Sequence, residues 1–208
     1  MRITPNDRVL VVACHTDDEI ACAGTVCRFA EIGATIHYYA ASIVETLDAM
    51  VAERLAEIRE SIAIMGCREE RALWDSIPVR LFDMKRQTIL DRLIELRERW
   101  QPTIVFGPSS FCFHQDHVVI HSELLRAFRT ISVYGYETPW SDNGFKPSTF
   151  VTLSQGQLSK KIAVMEAYRS QSFRHYMIAD AVSALSRLRG ILCGSEYAEA
   201  FECIRDVV

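Results

Sequence analysis

The 208-residue chain predicts an α/β fold, a mainly parallel sheet with helices on both faces. Three observations carry that prediction. Short apolar runs rich in β-branched and aromatic residues alternate with segments of helical periodicity. Gly and Pro punctuate the boundaries between them. Alternation of this kind argues for strand–helix–strand units and a parallel sheet between two helical layers.

The elements follow in order. Val9–Ala13 reads as a buried strand, and Glu19–Ile32 as a helix ended by Gly33. Ala34–Ala41 supplies a second strand. Apolar residues then fall at 47, 51, 55, 58, 62 and 65, a spacing of three and four that marks an amphipathic helix stopped by Gly66. A short strand near Val79–Phe82 precedes a helix over Gln87–Trp100, which Gln101-Pro102 ends because proline disfavours helix in the residue before it. Thr103–Gly107 is a strand, Asp116–Phe128 a helix, and "ISVYGYE" and "STFVTL" are later strands. The C-terminal third reads as mostly helical. No repeat, low-complexity tract or linker divides the chain, so residues 1–208 are expected to form one domain.

Composition narrows the function classes. With 49% apolar residues there is material for a substantial core. Basic and acidic residues number 23 and 27, and no run of Lys and Arg stands out, which argues against nucleic acid or an anionic membrane as partner. "MRITPNDR" is too polar for a signal peptide, and no apolar stretch approaches the ~20 residues of a membrane span. The 7 cysteines are an odd number without a secretion signal or a C-x-x-C pair. Reduced thiols in a cytoplasm are therefore expected, most of them as small core residues.

The chemistry concentrates in two places. "HTDDE" (His15–Glu19) follows the first strand, and "HQDH" (His114–His117) follows the Ile104–Phe106 strand after a short loop. In open α/β sheets, ligands sit beyond the carboxyl ends of strands, so both clusters are expected on one rim. Adjacent carboxylates repel and are costly to desolvate, and a bound cation relieves both problems. Imidazole and carboxylate together suit zinc, at roughly 2.0–2.2 Å per ligand, and a set of three leaves a position open. A solvated turn, a helix cap or a core hydrogen-bond network is the duller reading of the same residues.

Both motifs, in this order and after strands, resemble the LmbE/PIG-L family of zinc-dependent N-deacetylases, whose first motif is usually His-Pro-Asp-Asp-Glu. Lesser likenesses, in "ERLAEIRESIAIMG", "YETPW", "KKIAVMEAYRSQ" and "EYAEAF", extend along nearly the whole chain. The resemblance implies a Rossmann-like three-layer sandwich. It implies one Zn²⁺ per chain, or another divalent ion such as Fe²⁺, held by His15, Asp18 and His117. It makes Asp17 the general base, His114 the acid that stabilises the oxyanion or protonates the leaving amine, and Asp116 the carboxylate orienting His114. Arg54 aligns with an arginine that touches substrate hydroxyls. The implied reaction is hydrolysis of the acetamide of a small N-acetylated amino sugar or glycoconjugate, and the implied assembly is a homo-oligomer.

Some residues depart from that pattern or admit a plainer role. Thr16 replaces the family's proline and permits a looser turn. Ala40-Ala41-Ser42 replaces a Thr-x-Gly. Phe111 and Phe113 suggest an apolar wall at the mouth. Tyr136, Glu137 and Trp140 suit a sugar site or the core equally. Arg54 and Glu57, three apart, also fit a surface ion pair. Glu19 suits the start of a helix, where the dipole favours negative charge. His37, His121 and His175 read as non-ligands, and Glu199 and Phe201 as packing or helix-start residues. Two rival readings are a helical His-Asp phosphohydrolase, which the strands argue against, and a catalytically silent binding module.

Overall fold

The computed structural model describes residues 1–43 and 51–207. Strands β1 (Arg8–His15), β2 (Thr35–Ser42), β3 (Ala72–Trp74), β4 (Ile104–Pro108), β5 (Ser132–Tyr136), β6 (Thr149–Leu153) and β7 (Tyr197–Arg205) form one seven-stranded sheet in the order β3-β2-β1-β4-β5-β7-β6. The run from β3 to β5 is parallel, while β7 pairs antiparallel with both β5 and β6. Helices α1 (Ala23–Ile32), α2 (Val51–Ile64), α5 (Gln155–Ala167) and α6 (Ala179–Cys193) cover one face; α3 (Arg86–Trp100) and α4 (Gln115–Ala127) cover the other. This is the three-layer sandwich the sequence predicts.

Strand periodicity explains the two cores. Successive side chains of a strand point to opposite faces. Val9, Val11 and Ala13 of β1 accordingly enter the core beneath α1 and α2, and Leu10, Val12 and Cys14 enter the one beneath α3 and α4. A strand apolar on both sides belongs at the centre of a covered parallel sheet. Helix ends follow the expected punctuation: Gly33 (φ 106°) and Gly66 (φ 77°) take left-handed conformations after α1 and α2, and Gln101 (φ 46°) does so after α3.

Several boundaries differ from the sequence expectation. The third strand is Ala72–Trp74, not Val79–Phe82. Residues 79–82 form a turn because Pro78 has no N–H and Arg80 adopts φ 68°, while the buried Phe82 side chain accounts for the apolar signal. The helix expected from Glu19 starts as a 3-10 turn over Asp18–Cys22 and becomes α only at Ala23. The amphipathic helix is described from Val51, and Leu47 lies outside the described residues. The largest miss is β7, whose Ala- and Glu-rich "YAEAFECIR" has weak strand propensity. Burial between β5 and β6 overrides that propensity.

β1 has β2 on one side and β4 on the other, and the chain builds outward from each in opposite directions. The gap above their carboxyl ends is the switch point of the sheet, where α/β folds place ligands. Both charged motifs open onto it.

Candidate functional site

A cavity of about 120 Å³ lies above the switch point, lined by His15, Thr16, Asp17, Asp18, His114 and His117, with a further wall supplied by later segments. Asp18 turns inward. Its Oδ2 accepts the backbone N–H groups of Cys14 (3.0 Å) and His15 (2.8 Å), and stands 3.3 Å from His117 Nε2 and 3.7 Å from His15 Nδ1. The three histidine rings cluster, with centroids 4.9 Å apart for His114–His117, 5.1 Å for His15–His114 and 5.5 Å for His15–His117. The expected meeting of two segments about a hundred residues apart is realised.

The backbone explains how consecutive aspartates reach one centre. Asp17 adopts φ 101°, ψ −21°, a left-handed conformation that costs energy for an L-residue but is best tolerated by Asn and Asp. The Thr16 N–H donates to the Ser42 carbonyl (3.3 Å), tying the motif to the end of β2. A proline at 16 has no N–H for that bond, so threonine here adds an anchor in place of ring rigidity.

α4 brings the second motif. His114 is its N-cap, with Nδ1 accepting the Asp116 N–H (3.3 Å). That bond leaves Nε2 as the protonated nitrogen of the neutral ring. His117, one turn in, lies buried with Nδ1 3.3 Å from Cys112 Sγ, which also contacts Ser141 Oγ (3.1 Å). A partner on Nδ1 orients the imidazole and directs Nε2 toward Asp18.

Electrostatics follow burial and pairing. Burial raises the proton affinity of Asp18, yet the imidazoles of His117 and His15 outweigh it and hold its carboxyl well below the usual range. His117 shows the reciprocal effect: burial opposes its charge, but the Asp18 carboxylate raises it well above an ordinary histidine. Asp17 is pushed well above the usual carboxylate range by burial and by Asp18, partly offset by Arg174 and Arg54. Burial and the two other imidazoles lower His114. The donors suit a divalent cation, in two groups that divide the expected set of His15, Asp18 and His117 between them. Ligand atoms of Cys14, Asp18 and His117 lie within 4.8 Å of one another, as do those of His15, His114 and Asp116.

The rest of the wall comes from α2 and the segment after α5. Arg54 is buried, 3.7 Å from Glu57 Oε2, and among the described residues its Nε and Nη1 have no hydrogen-bond partner. This excludes the surface ion pair. Glu57 is occupied by the N–H (2.7 Å) and hydroxyl (2.6 Å) of Ser170, which anchors the stretch bearing Gln171, Arg174 and Tyr176. Trp140 and Tyr176 stack across the mouth, centroids 4.1 Å apart and 8° from parallel. Gln171 ends the family-like stretch "KKIAVMEAYRSQ", whereas Arg174 and Tyr176 carry no local motif, and only the fold places them here.

Other expectations are corrected. Tyr136 does not line the cavity: it is fully buried and its hydroxyl donates to the Val12 carbonyl (3.1 Å). Glu137 is paired with Arg189 (2.9 Å) instead of facing a ligand. Asp116 hydrogen-bonds His15 Nε2 (3.0 Å) and the Arg80 N–H (2.8 Å), not the His114 ring, because that ring faces the backbone N–H of Asp116. Phe111 and Phe113 are absent from the lining; Phe111 packs edge-on against Phe145, and Phe113 is exposed. Glu19 does stand in the first turn of the helical segment, as expected, and there it is wholly buried. Glu199 and Phe201 are buried on β7, the packing role expected of them and not a helix start. His121 bonds the Pro108 carbonyl (3.0 Å) and His37 stacks on Trp100, as befits non-ligands.

Comparisons with known proteins find relatives of the same fold. The uncharacterized deacetylase YaiS of Escherichia coli (strain K12) is 25% identical over 178 residues, covering 78% of this chain and 90% of YaiS. The solved N,N'-diacetylchitobiose deacetylase from Pyrococcus horikoshii shares the fold at 20% identity, with a TM-score of 0.76 over 94% of this chain and 83% of its own. GalB, the 4-carboxy-2-hydroxymuconate hydratase of Pseudomonas putida KT2440, does so at 20% identity, TM-score 0.77, over 97% and 98%. One fold thus serves different reactions, and the side chains must choose between them. The family model PIG-L: GlcNAc-PI de-N-acetylase matches residues 10–128, which spans both motifs, and the chain belongs to that family.

Proposed function

We propose that the protein is a metal-dependent hydrolase that removes the acetyl group from a small N-acetylated amino sugar or glycoconjugate. The observation that carries the reading is the convergence of Asp18, His15 and His117 beside Asp17 in a cavity at the sheet's switch point. These three side chains would hold a single zinc, or another divalent ion such as Fe²⁺. When bound, such an ion supplies Lewis-acid polarisation of the amide carbonyl and acidifies water.

The chain's own groups do the rest. Asp17 accepts the proton of the attacking water, and burial raises its proton affinity in the direction a general base requires. His114, with Nδ1 engaged by the Asp116 N–H, hydrogen-bonds the developing oxyanion from Nε2, and Asp17 passes the proton it took from water to the nitrogen of the departing amine. Water adds across the C–N bond, acetate leaves with the new oxygen, and the amine leaves with the proton. Asp116 orients His15. Arg54, buried with two nitrogens unpartnered among the described residues, suits an oxygen-rich substrate. The parallel Trp140–Tyr176 pair offers an apolar face to a sugar ring.

The free thiols of all the cysteines support a reducing, cytoplasmic setting. No helix of the described residues is long and apolar enough to cross a membrane.

The test is metal analysis combined with acetate release across a panel of acetamido sugars, for the wild type and Asp17→Asn. The variant is expected to keep its metal and lose about 10²–10⁴ in rate, the scale of a positioned proton acceptor. Activity within a few-fold of wild type removes Asp17 as the base. A metal-loaded wild type that releases no acetate from any member of the panel removes the deacetylase reading.

A further inference from the structure

Glu19 has no role in the scheme above, yet it is among the most enclosed charged groups in the molecule, with no exposure to solvent. Its Oε1 accepts the hydroxyls of Ser61 on α2 (2.5 Å) and Tyr168 beyond α5. Its Oε2 accepts the Tyr38 hydroxyl from β2 (3.1 Å) and the backbone N–H of Asp17 (3.2 Å). A buried carboxylate is costly unless its lone pairs are met, and here donors from separate parts of the fold meet them. Neither Ser61 nor either tyrosine lines the cavity. The arrangement therefore reaches the site through one bond, the N–H of Asp17.

That bond falls where the backbone is strained. Asp17 is the non-glycine residue with the largest positive φ among the described residues. Strain of this kind persists only where the surroundings over-determine it. The Asp17 carbonyl is held by the Ile20 N–H (3.1 Å) and its N–H by Glu19. Releasing the N–H allows the peptide to turn toward ordinary φ and swings the Asp17 carboxylate away from the centre.

We propose that Glu19 is a positioning residue: anchored by Tyr38, Ser61 and Tyr168, it holds Asp17 in the left-handed conformation that aims its carboxylate at the reacting water. The proposal rests on the reading of Asp17 as the base, and a double-mutant cycle separates the two. Glu19→Gln keeps the shape and can still accept two of the donors. Displacement of the base by an ångström costs about 10²-fold in rate. The expected result is a loss of that order in kcat, with KM and metal stoichiometry unchanged. In the Asp17→Asn background the same change should cost less than about 2-fold, since positioning a base that is absent has no value.

If Asp17→Asn is nearly inactive and Glu19→Gln keeps wild-type kcat, or if the two losses multiply independently, the positioning role is overturned while the base survives. If Asp17→Asn stays active, the base reading itself fails. A wild-type measurement covers the case in which Glu19→Gln does not fold. The Asp17 amide should exchange with deuterium as slowly as the amides of β1, and free exchange there overturns the proposal.

Discussion

The substitution Lys161→Met tests how the metal-motif turn is held from below. Lys161 is buried on α5, and its Nζ donates to Glu199 (2.5 Å) and to the carbonyls of Ile20 (2.7 Å) and Ala21 (3.1 Å), in the 3-10 turn that begins at Asp18. Glu199, on β7, accepts the N–H groups of Gly24 (3.0 Å) and Thr25 (2.6 Å), the otherwise unpaired donors at the start of α1. Methionine preserves most of the hydrocarbon but none of the donors. The Ile20 carbonyl keeps the Ala23 N–H but loses its second donor, the half-buried Ala21 carbonyl loses the ammonium, and Glu199 keeps an uncompensated charge, an unmet buried group costing about 1–3 kcal/mol. Breaking a buried pair from one side costs about 3–5 kcal/mol, and these contributions overlap, so the expected loss is about 3–5 kcal/mol in total. For a chain of this size that is a fall in Tm of roughly 10 °C.

Urea unfolding at pH 7 is the assay, with an unchanged m-value showing that stability, not compactness, has moved. The double variant Lys161→Met/Glu199→Gln should be more stable than Lys161→Met alone, because the stranded charge is gone. A loss below about 1 kcal/mol for the single variant contradicts the reasoning, since that is the scale of an exposed pair. So does a double variant less stable than the single.

Three further outcomes are expected. His117→Ala should abolish stoichiometric metal binding; unchanged metal content by elemental analysis removes His117 from the ligand set. His37 is held down to about 4 by burial and by Arg71, against an unfolded value of 6.5, so the stability present above pH 6.5 is lost as pH falls through 4. His37→Phe should therefore recover roughly 2–3 kcal/mol at pH 4.5 relative to pH 7 while keeping the stack on Trp100, and parallel pH profiles of the two proteins would exclude this. At Gly135 on β5, a Cβ would stand 2.7 Å from Ser109 Cα, in the loop leading to His114. Gly135→Ala should cost about 1–3 kcal/mol by overpacking and weaken metal retention against a chelator, whereas wild-type values for both refute it.

Much of the site is legible in the chain because its ligands are local. His15, Asp17 and Asp18 are contiguous, His114 to His117 span one helical turn, and each group follows a run that is recognisable as strand. Their convergence follows from the placement of ligands at strand ends. The lesser motifs are different. Glu57 meets Ser170, and Lys161 meets Glu199, across 113 and 38 residues. Read singly, each looks like a surface charge or a helix start; together they are the buried fastenings of the site. Tyr136 failed in the opposite direction, since an aromatic beside a polar motif carries no mark of whether it faces a cavity or the core.

By itself the sequence determined the α/β class, the two-layered helical cover of a mainly parallel sheet, and the identity of the charged groups on its rim. Those depend on periodicity and on neighbours a few residues apart. Tertiary structure alone decided that Glu19 is enclosed, that Asp116 serves His15, and that β7 is a strand. Each of these turns on which distant group removes water from a side chain, and desolvation is a property of the packed molecule that no local pattern records.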